Sequence, residues 1–153
     1  AFEGSYRPAP GVARAMVGTP PVISVAALEM GVDIALEAPM ALVREKSVRQ
    51  TSLFSDMLMG RGGPWGFRLV SPGDAARRGS QVCLAHDQAY AIMQALIARG
   101  VIGDFRAPDI LRFGITPLYT RYVDLFDAAQ ALRAVMAGGE WQDARYRTRN
   151  AVT

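Results

Sequence analysis

Val101-Ile102-Gly103-Asp104-Phe105-Arg106-Ala107-Pro108-Asp109-Ile110-Leu111-Arg112-Phe113-Gly114-Ile115 holds the two runs that decide the fold. Val101–Phe105 and Ile110–Ile115 read as short strands joined across Pro108-Asp109. Upstream, Phe67–Val70 and Gln81–Ala85 read as two more strands, separated by the polar turn Ser71 to Ser80. Between the strand pairs, Asp87 is expected to cap a helix through Arg99, with Tyr90, Met93 and Ile97 on one stripe and Gly100 at its end. Downstream, Asp124–Met136 reads as a last helix, stopped by Gly138-Gly139. This succession predicts an α+β layer, a sheet with helices on one face.

Farther out, Gly60-Arg61-Gly62-Gly63-Pro64 reads as a linker. It is expected to divide the chain into residues 1–60, the end of a larger domain, and residues 61–153, a small C-terminal domain. Before it, Ala41–Met59 has the patterning of an amphipathic helix, with Leu42, Val48, Leu53 and Phe54 among Arg44, Glu45, Lys46, Arg49 and Asp56. Pro20-Pro21 opens Val22–Leu36, which is apolar on all faces, the pattern of a buried helix. A lone chain of this size offers little to bury it, so a missing partner surface is expected. Residues 1–19 read as extended loop with a helical turn near Val12–Val17. The start at Ala1-Phe2-Glu3, without Met, leads to the expectation of an absent N-terminal part.

Half of the 153 residues are apolar, an ordinary globular mixture. The net charge of +3 is interspersed except at Arg77-Arg78 and in the run Arg145, Arg147, Arg149. No basic stripe or recognition motif accompanies it, so no nucleic-acid partner is expected. Cys83 is the only cysteine, which leaves no intrachain disulfide and fits a reducing cytoplasm. No apolar run reaches the roughly 18 residues of a membrane span.

Arg112 is the first candidate for chemistry. It is the one charge in Ile110–Ile115, and 110, 112 and 114 share a strand face. A guanidinium buried there needs an anion. Its fork suits a carboxylate, including the α-carboxylate of an amino acid; an internal ion pair with Asp or Glu, or a snorkelling edge residue, would satisfy it as well. Thr19 is the second. Thr19-Pro20-Pro21 before a helical run predicts a Thr cap with Pro in the first turn, and helix N-termini attract phosphate. His86, the only histidine, lacks metal-ligand spacing and is read as structural; no metal site is expected. Cys83 is read as a small core residue, and Trp65 and Trp141 as packing residues. Ser80 has no nucleophile-elbow context, and no nucleotide-binding loop is present.

Three segments carry a family resemblance. Gly100–Arg106 with Asp109–Thr120 resembles the end of bacterial kynureninases. So do Arg78-Gly79-Ser80-Gln81-Val82 and the stretch from Tyr6-Arg7-Pro8 to Val17-Gly18-Thr19-Pro20-Pro21, while Arg149–Thr153 looks like that family's C-terminus. The resemblance spans nearly the whole chain. It implies the fold-type I, aminotransferase-like α/β architecture of pyridoxal-phosphate enzymes, with a large cofactor domain, a small C-terminal domain and a homodimer in the cytoplasm. It implies hydrolysis of kynurenine or 3-hydroxykynurenine to anthranilate or 3-hydroxyanthranilate and alanine, in tryptophan catabolism and NAD biosynthesis. In that family Arg112 corresponds to the arginine that grips the substrate α-carboxylate. Thr19 corresponds to a residue on the phosphate of pyridoxal 5'-phosphate, reached across the dimer. No catalytic residue is carried over. The only lysine, Lys46, lies among charges without the context of a Schiff-base lysine, so the cofactor anchor is expected in an N-terminal portion. The alternatives are another class-V aminotransferase or desulfurase-like enzyme, or a non-catalytic binding fragment.

Overall fold

The structure, a computed structural model, describes residues 4–60 and 65–148. The linker residues 61–64 and the terminal residues 1–3 and 149–153 lie outside the described residues. The chain divides into two units, Ala1–Pro39 and Met40–Thr153. The sequence placed a break at 60/61. The contacts divide the chain at Pro39/Met40 instead, because the helix before the linker packs on the C-terminal sheet and on the helix Tyr122–Ala137.

The first unit holds a 3-10 turn, Gly11–Ala15, and helix α1, Val22–Glu37. None of the residues of α1 is buried, and Val22, Ile23, Leu28, Met30 and Ile34 are all exposed. An apolar surface of that kind is one a partner normally covers. The expected burial of α1 is therefore not met within this chain.

The second unit is a four-stranded antiparallel sheet with helices α2 (Met40–Met59), α3 (Ala89–Ala98), α4 (Tyr122–Ala137) and the short α5 (Ala144–Arg147). Its strands are β1 (Arg68–Leu69), β2 (Gln81–Ala85), β3 (Asp104–Arg106) and β4 (Ile110–Gly114), in the order β1-β2-β4-β3. Register follows the two-residue period: Val82 faces Phe113, Leu84 faces Leu111, and Phe105 faces Leu111 on the other side. These side chains meet Phe54 and Leu58 of α2, Ile92, Met93 and Leu96 of α3, and Leu125, Ala129, Leu132 and Val135 of α4 in one core. Phe54 stands edge-on to Phe113 at 5.4 Å between ring centroids. The predicted α+β layer is present, with its helices contributing to the core on one sheet face.

The helix readings need correction in three places. In α2 the buried positions are Ser47, Gln50, Thr51, Phe54, Ser55 and Leu58, while Leu42 and Leu53 are exposed. Most of the buried polar groups find internal partners: Gln50 Nε2 donates to the Thr120 carbonyl (2.7 Å), and the Ser47 and Ser80 hydroxyls pair at 2.7 Å, while Gln50 Oε1 has no partner among the described residues. In α3 the N-cap is Gln88 rather than Asp87, and the buried stripe runs through Ala89, Ile92, Met93 and Leu96, leaving Ile97 exposed. Gly100 does end α3. At φ 83° it lets its own N–H reach the Ile97 carbonyl and the Val101 N–H reach the Leu96 carbonyl, a Schellman turn. The strand expected over Val101–Phe105 begins only at Asp104. Gly103 sits so close to β4 that a Cβ there would lie 2.9 Å from the Arg112 carbonyl oxygen and 2.6 Å from Met93 Cε.

Candidate functional site

Alternation puts Ile110, Arg112 and Gly114 of β4, with Gln81 and Cys83 of β2 and Asp104 and Arg106 of β3, on the face of the sheet opposite the core. Arg112 is therefore not in a greasy environment. About a third of its side chain is exposed, on an inner strand, which removes the edge-residue alternative. Its register partner Asp104 meets it directly, Arg112 Nη2 donating to Asp104 Oδ2. The internal ion pair weighed from the sequence is thus present. Arg106 Nη2 stands 3.4 Å from the same oxygen. Asp104 Oδ1 is buried without a hydrogen-bond partner among the described residues. The pair opens on a cleft of about 340 Å³ lined by Gln81, Ile102, Gly103, Asp104, Arg112 and Gly114.

Cys83 lies across from Arg112 on this same face and is only half-buried, so it is not the core residue expected. It lines a neighbouring cleft of about 420 Å³, together with Ser71, Arg77, Arg78, Ser80 and Gln81. Arg78, which sequence reasoning did not single out, is buried. Its guanidinium spans neutral acceptors: Thr51 Oγ1 (3.2 Å), Ser52 Oγ (2.8 Å), and the Pro72 (2.9 Å) and Gly73 (3.2 Å) carbonyls. It locks the turn before β2 to α2. Asp104, Arg106 and Gln81 were also missed; the hairpin register from Arg112 would have found Asp104.

Thr19 is exposed and is not a helix cap: the N-cap of α1 is Pro21, which has no side-chain cap bond. Two prolines separate the hydroxyl from the first turn, and α1 begins with N–H groups of Val22, Ile23 and Ser24 that lack an i−4 carbonyl within the helix. Thr19 and Arg112 belong to separate units. Lys46 Nζ donates to the Pro117 carbonyl at 2.6 Å, so the single lysine is committed to joining α2 to the loop after β4. His86 is structural, as expected. Its Nδ1 accepts the Gln88 N–H (2.9 Å), which leaves the proton on Nε2 to donate to the Trp65 carbonyl (2.9 Å), and its ring packs between Phe67 and Trp141. Trp65 and Trp141 pack against the core, as read. Ser80 is bonded to Ser47.

The shifted acid groups lie outside the Arg112 cleft. The Arg121 guanidinium and backbone N–H hold the Asp124 carboxyl below the usual range at the start of α4, and Arg99 does the same to Glu140. Among the described residues no group of three or more His, Cys, Asp or Glu is placed to hold a metal ion, and no helix is long and apolar enough to cross a membrane.

A family model of the kynureninase C-terminal domain matches residues 43–132, which cover most of the second unit. The chain is 43% identical over all 153 residues to kynureninases of Burkholderia mallei (strain SAVP1) and Burkholderia pseudomallei (strain K96243). It is 42% identical, again over 153 residues, to the kynureninase of Pseudomonas fluorescens. In each case the chain spans 37% of the relative's length.

Proposed function

The chain belongs to the kynureninase C-terminal domain family, and on that footing we propose that it is the C-terminal part of a pyridoxal-phosphate hydrolase that cleaves the Cβ–Cγ bond of kynurenine. The products are anthranilate and alanine, and the setting is tryptophan catabolism in the cytoplasm. The observation that carries the reading is Arg112, a guanidinium on a side chain about one-third exposed, at the wall of a cleft, with one of its five N–H groups engaged among the described residues. It is a ready fork for the substrate α-carboxylate.

The residues present suit the cofactor in part. The exposed Thr19 hydroxyl and, two prolines farther on, the N–H groups that open α1 are donors of the kind a phosphate takes. No lysine is free to hold the aldehyde, so the anchor and the rest of the large domain belong to sequence outside this chain. When bound, pyridoxal 5'-phosphate supplies the electron sink for the substrate Cα. Arg112 fixes the amino acid by its carboxylate, so that the scissile bond takes up a single orientation, a contribution of position rather than of proton transfer. The exposed apolar surface of α1 supports a homodimer in which Thr19 serves the neighbouring subunit's cofactor phosphate. The lone free thiol, Cys83, agrees with a reducing compartment.

A second reading is favoured by one contact: the ion pair with Asp104 satisfies Arg112 within its own domain, as a purely structural arginine would be. An enzyme of the relatives' length that ends in this chain, loaded with cofactor and given L-kynurenine, separates the possibilities. Anthranilate fluorescence with equimolar alanine is expected. Transfer of the amino group without anthranilate would point to an aminotransferase-like enzyme instead, and no turnover would point to a binding fragment.

A further inference from the structure

We propose that Asp104 is a positioning residue that holds the Arg112 fork in register for the substrate carboxylate; this rests on the reading of Arg112 just given. Asp104 is fixed by the backbone. It lies directly opposite Arg112 in the β3–β4 ladder, on the same face, so its carboxylate needs no long side-chain excursion to reach the guanidinium. The contact is made by a single oxygen to a single nitrogen, Nη2. A guanidinium presents two forks, one formed by Nη1 and Nη2 and the other by Nε and Nη2, and Nη2 carries one N–H on each. Asp104 takes one, and the other fork remains complete for a second carboxylate.

Charge decides whether a second carboxylate is tolerated. Arg112 and Asp104 alone would leave the cleft wall neutral. Arg106, two residues along β3 on the same face, approaches the same Oδ2 and brings the trio to a net charge of +1. The Asp104 carboxylate directs its bonding through Oδ2, for Oδ1 has no partner among the described residues. It is thus a fixed strut between two arginines rather than a loosely held counter-ion that a ligand would displace. Without the strut the guanidinium of a side chain one-third exposed would rotate freely in the cleft, and each binding event would have to order it.

A double-mutant cycle in the cofactor-loaded enzyme of the relatives' length tests this. Asp104→Ala is expected to raise the KM for kynurenine about tenfold, the scale of one charge-assisted hydrogen bond, with kcat changed less than about twofold. Asp104→Asn, whose amide oxygen still accepts, should fall between, and it keeps the comparison open if the alanine variant does not fold. In an Arg112→Ala background the same Asp104 changes should alter KM by less than about twofold, because nothing is left to position. The Kd of L-alanine, the product that carries the α-carboxylate, measured by calorimetry, should divide in the same way. Equal factors in both backgrounds, or a lower KM for Asp104→Ala, would overturn the proposal while leaving the role of Arg112 intact. An Arg112→Ala variant with unchanged KM would overturn the carboxylate reading, and the strut with it.

Discussion

Gly103→Ala and Gly114→Ala place the same methyl group on two walls of one cleft, with opposite consequences expected. At Gly103 the added Cβ would lie 2.9 Å from the Arg112 carbonyl oxygen and 2.6 Å from Met93 Cε, where ordinary contact begins at 3.4 Å. It is short by about half an ångström against backbone, which cannot rotate away. It is short by more against Met93, which is completely buried. The β3–β4 ladder must therefore open at the residue pair that holds Arg112 and Asp104. Overpacking of this kind costs about 1–3 kcal/mol. At Gly114 a Cβ meets nothing within 4 Å, so stability should hold to within about 0.5 kcal/mol. Urea unfolding followed by fluorescence of Trp65 and Trp141 reads the difference as a lower midpoint for Gly103→Ala alone. Equal midpoints for the two variants would refute the close approach of residue 103 to β4. In the full enzyme Gly103→Ala should also raise the KM, as the fork shifts with its strand.

Other expectations follow from the same contacts. Arg78→Met should destabilise the chain by about 3 kcal/mol or more, since it strands the acceptors around Thr51, Ser52, Pro72 and Gly73, each bond to a charged donor being worth roughly 1.5–3 kcal/mol. Arg78→Lys should not rescue it, because an ammonium cannot span that set of acceptors; full rescue in a melting experiment would contradict the planar fork. Asp124 and Glu140 have carboxyls held below their ordinary values, so the stability each adds is complete above the unfolded value and is lost as pH falls through the lower folded one. The acid limb of a stability–pH curve should therefore steepen below about pH 4, and Asp124→Asn with Glu140→Gln should flatten it. An unchanged limb in the double variant would contradict the two pairs with Arg121 and Arg99.

Much of the second unit was legible because its signals are local. The short strand runs Gln81–Ala85 and Ile110–Ile115, the punctuation at Pro108-Asp109 and the stop at Gly100 depend on neighbours in sequence, and the structure keeps them. What failed depends on partners far away. Ser47, Gln50 and Thr51 are buried on α2 because Ser80, Thr120 and Arg78 meet them, and no apolar periodicity announces such a stripe. Arg112 could be selected from its strand, but which face lies outward is set by the helices that cover the other one. For the same reason Cys83, a small apolar residue expected in the core, lies on the outward face instead. Thr19 read as a cap because Ser and Thr commonly are; Pro21 begins the helix in its place.

The account stands most directly on the KM for kynurenine of Arg112→Ala and Arg112→Lys in the cofactor-loaded enzyme. Two charge-assisted bonds to a carboxylate at roughly 1.5 kcal/mol each, the low end of the range because the site is partly open, correspond to about a hundredfold in KM. Lysine keeps the charge without the fork and should recover about tenfold of that loss. A hundredfold rise for alanine, a smaller rise for lysine and undiminished cofactor absorbance are expected. Wild-type KM in both variants would mean that Arg112 serves only its pair with Asp104.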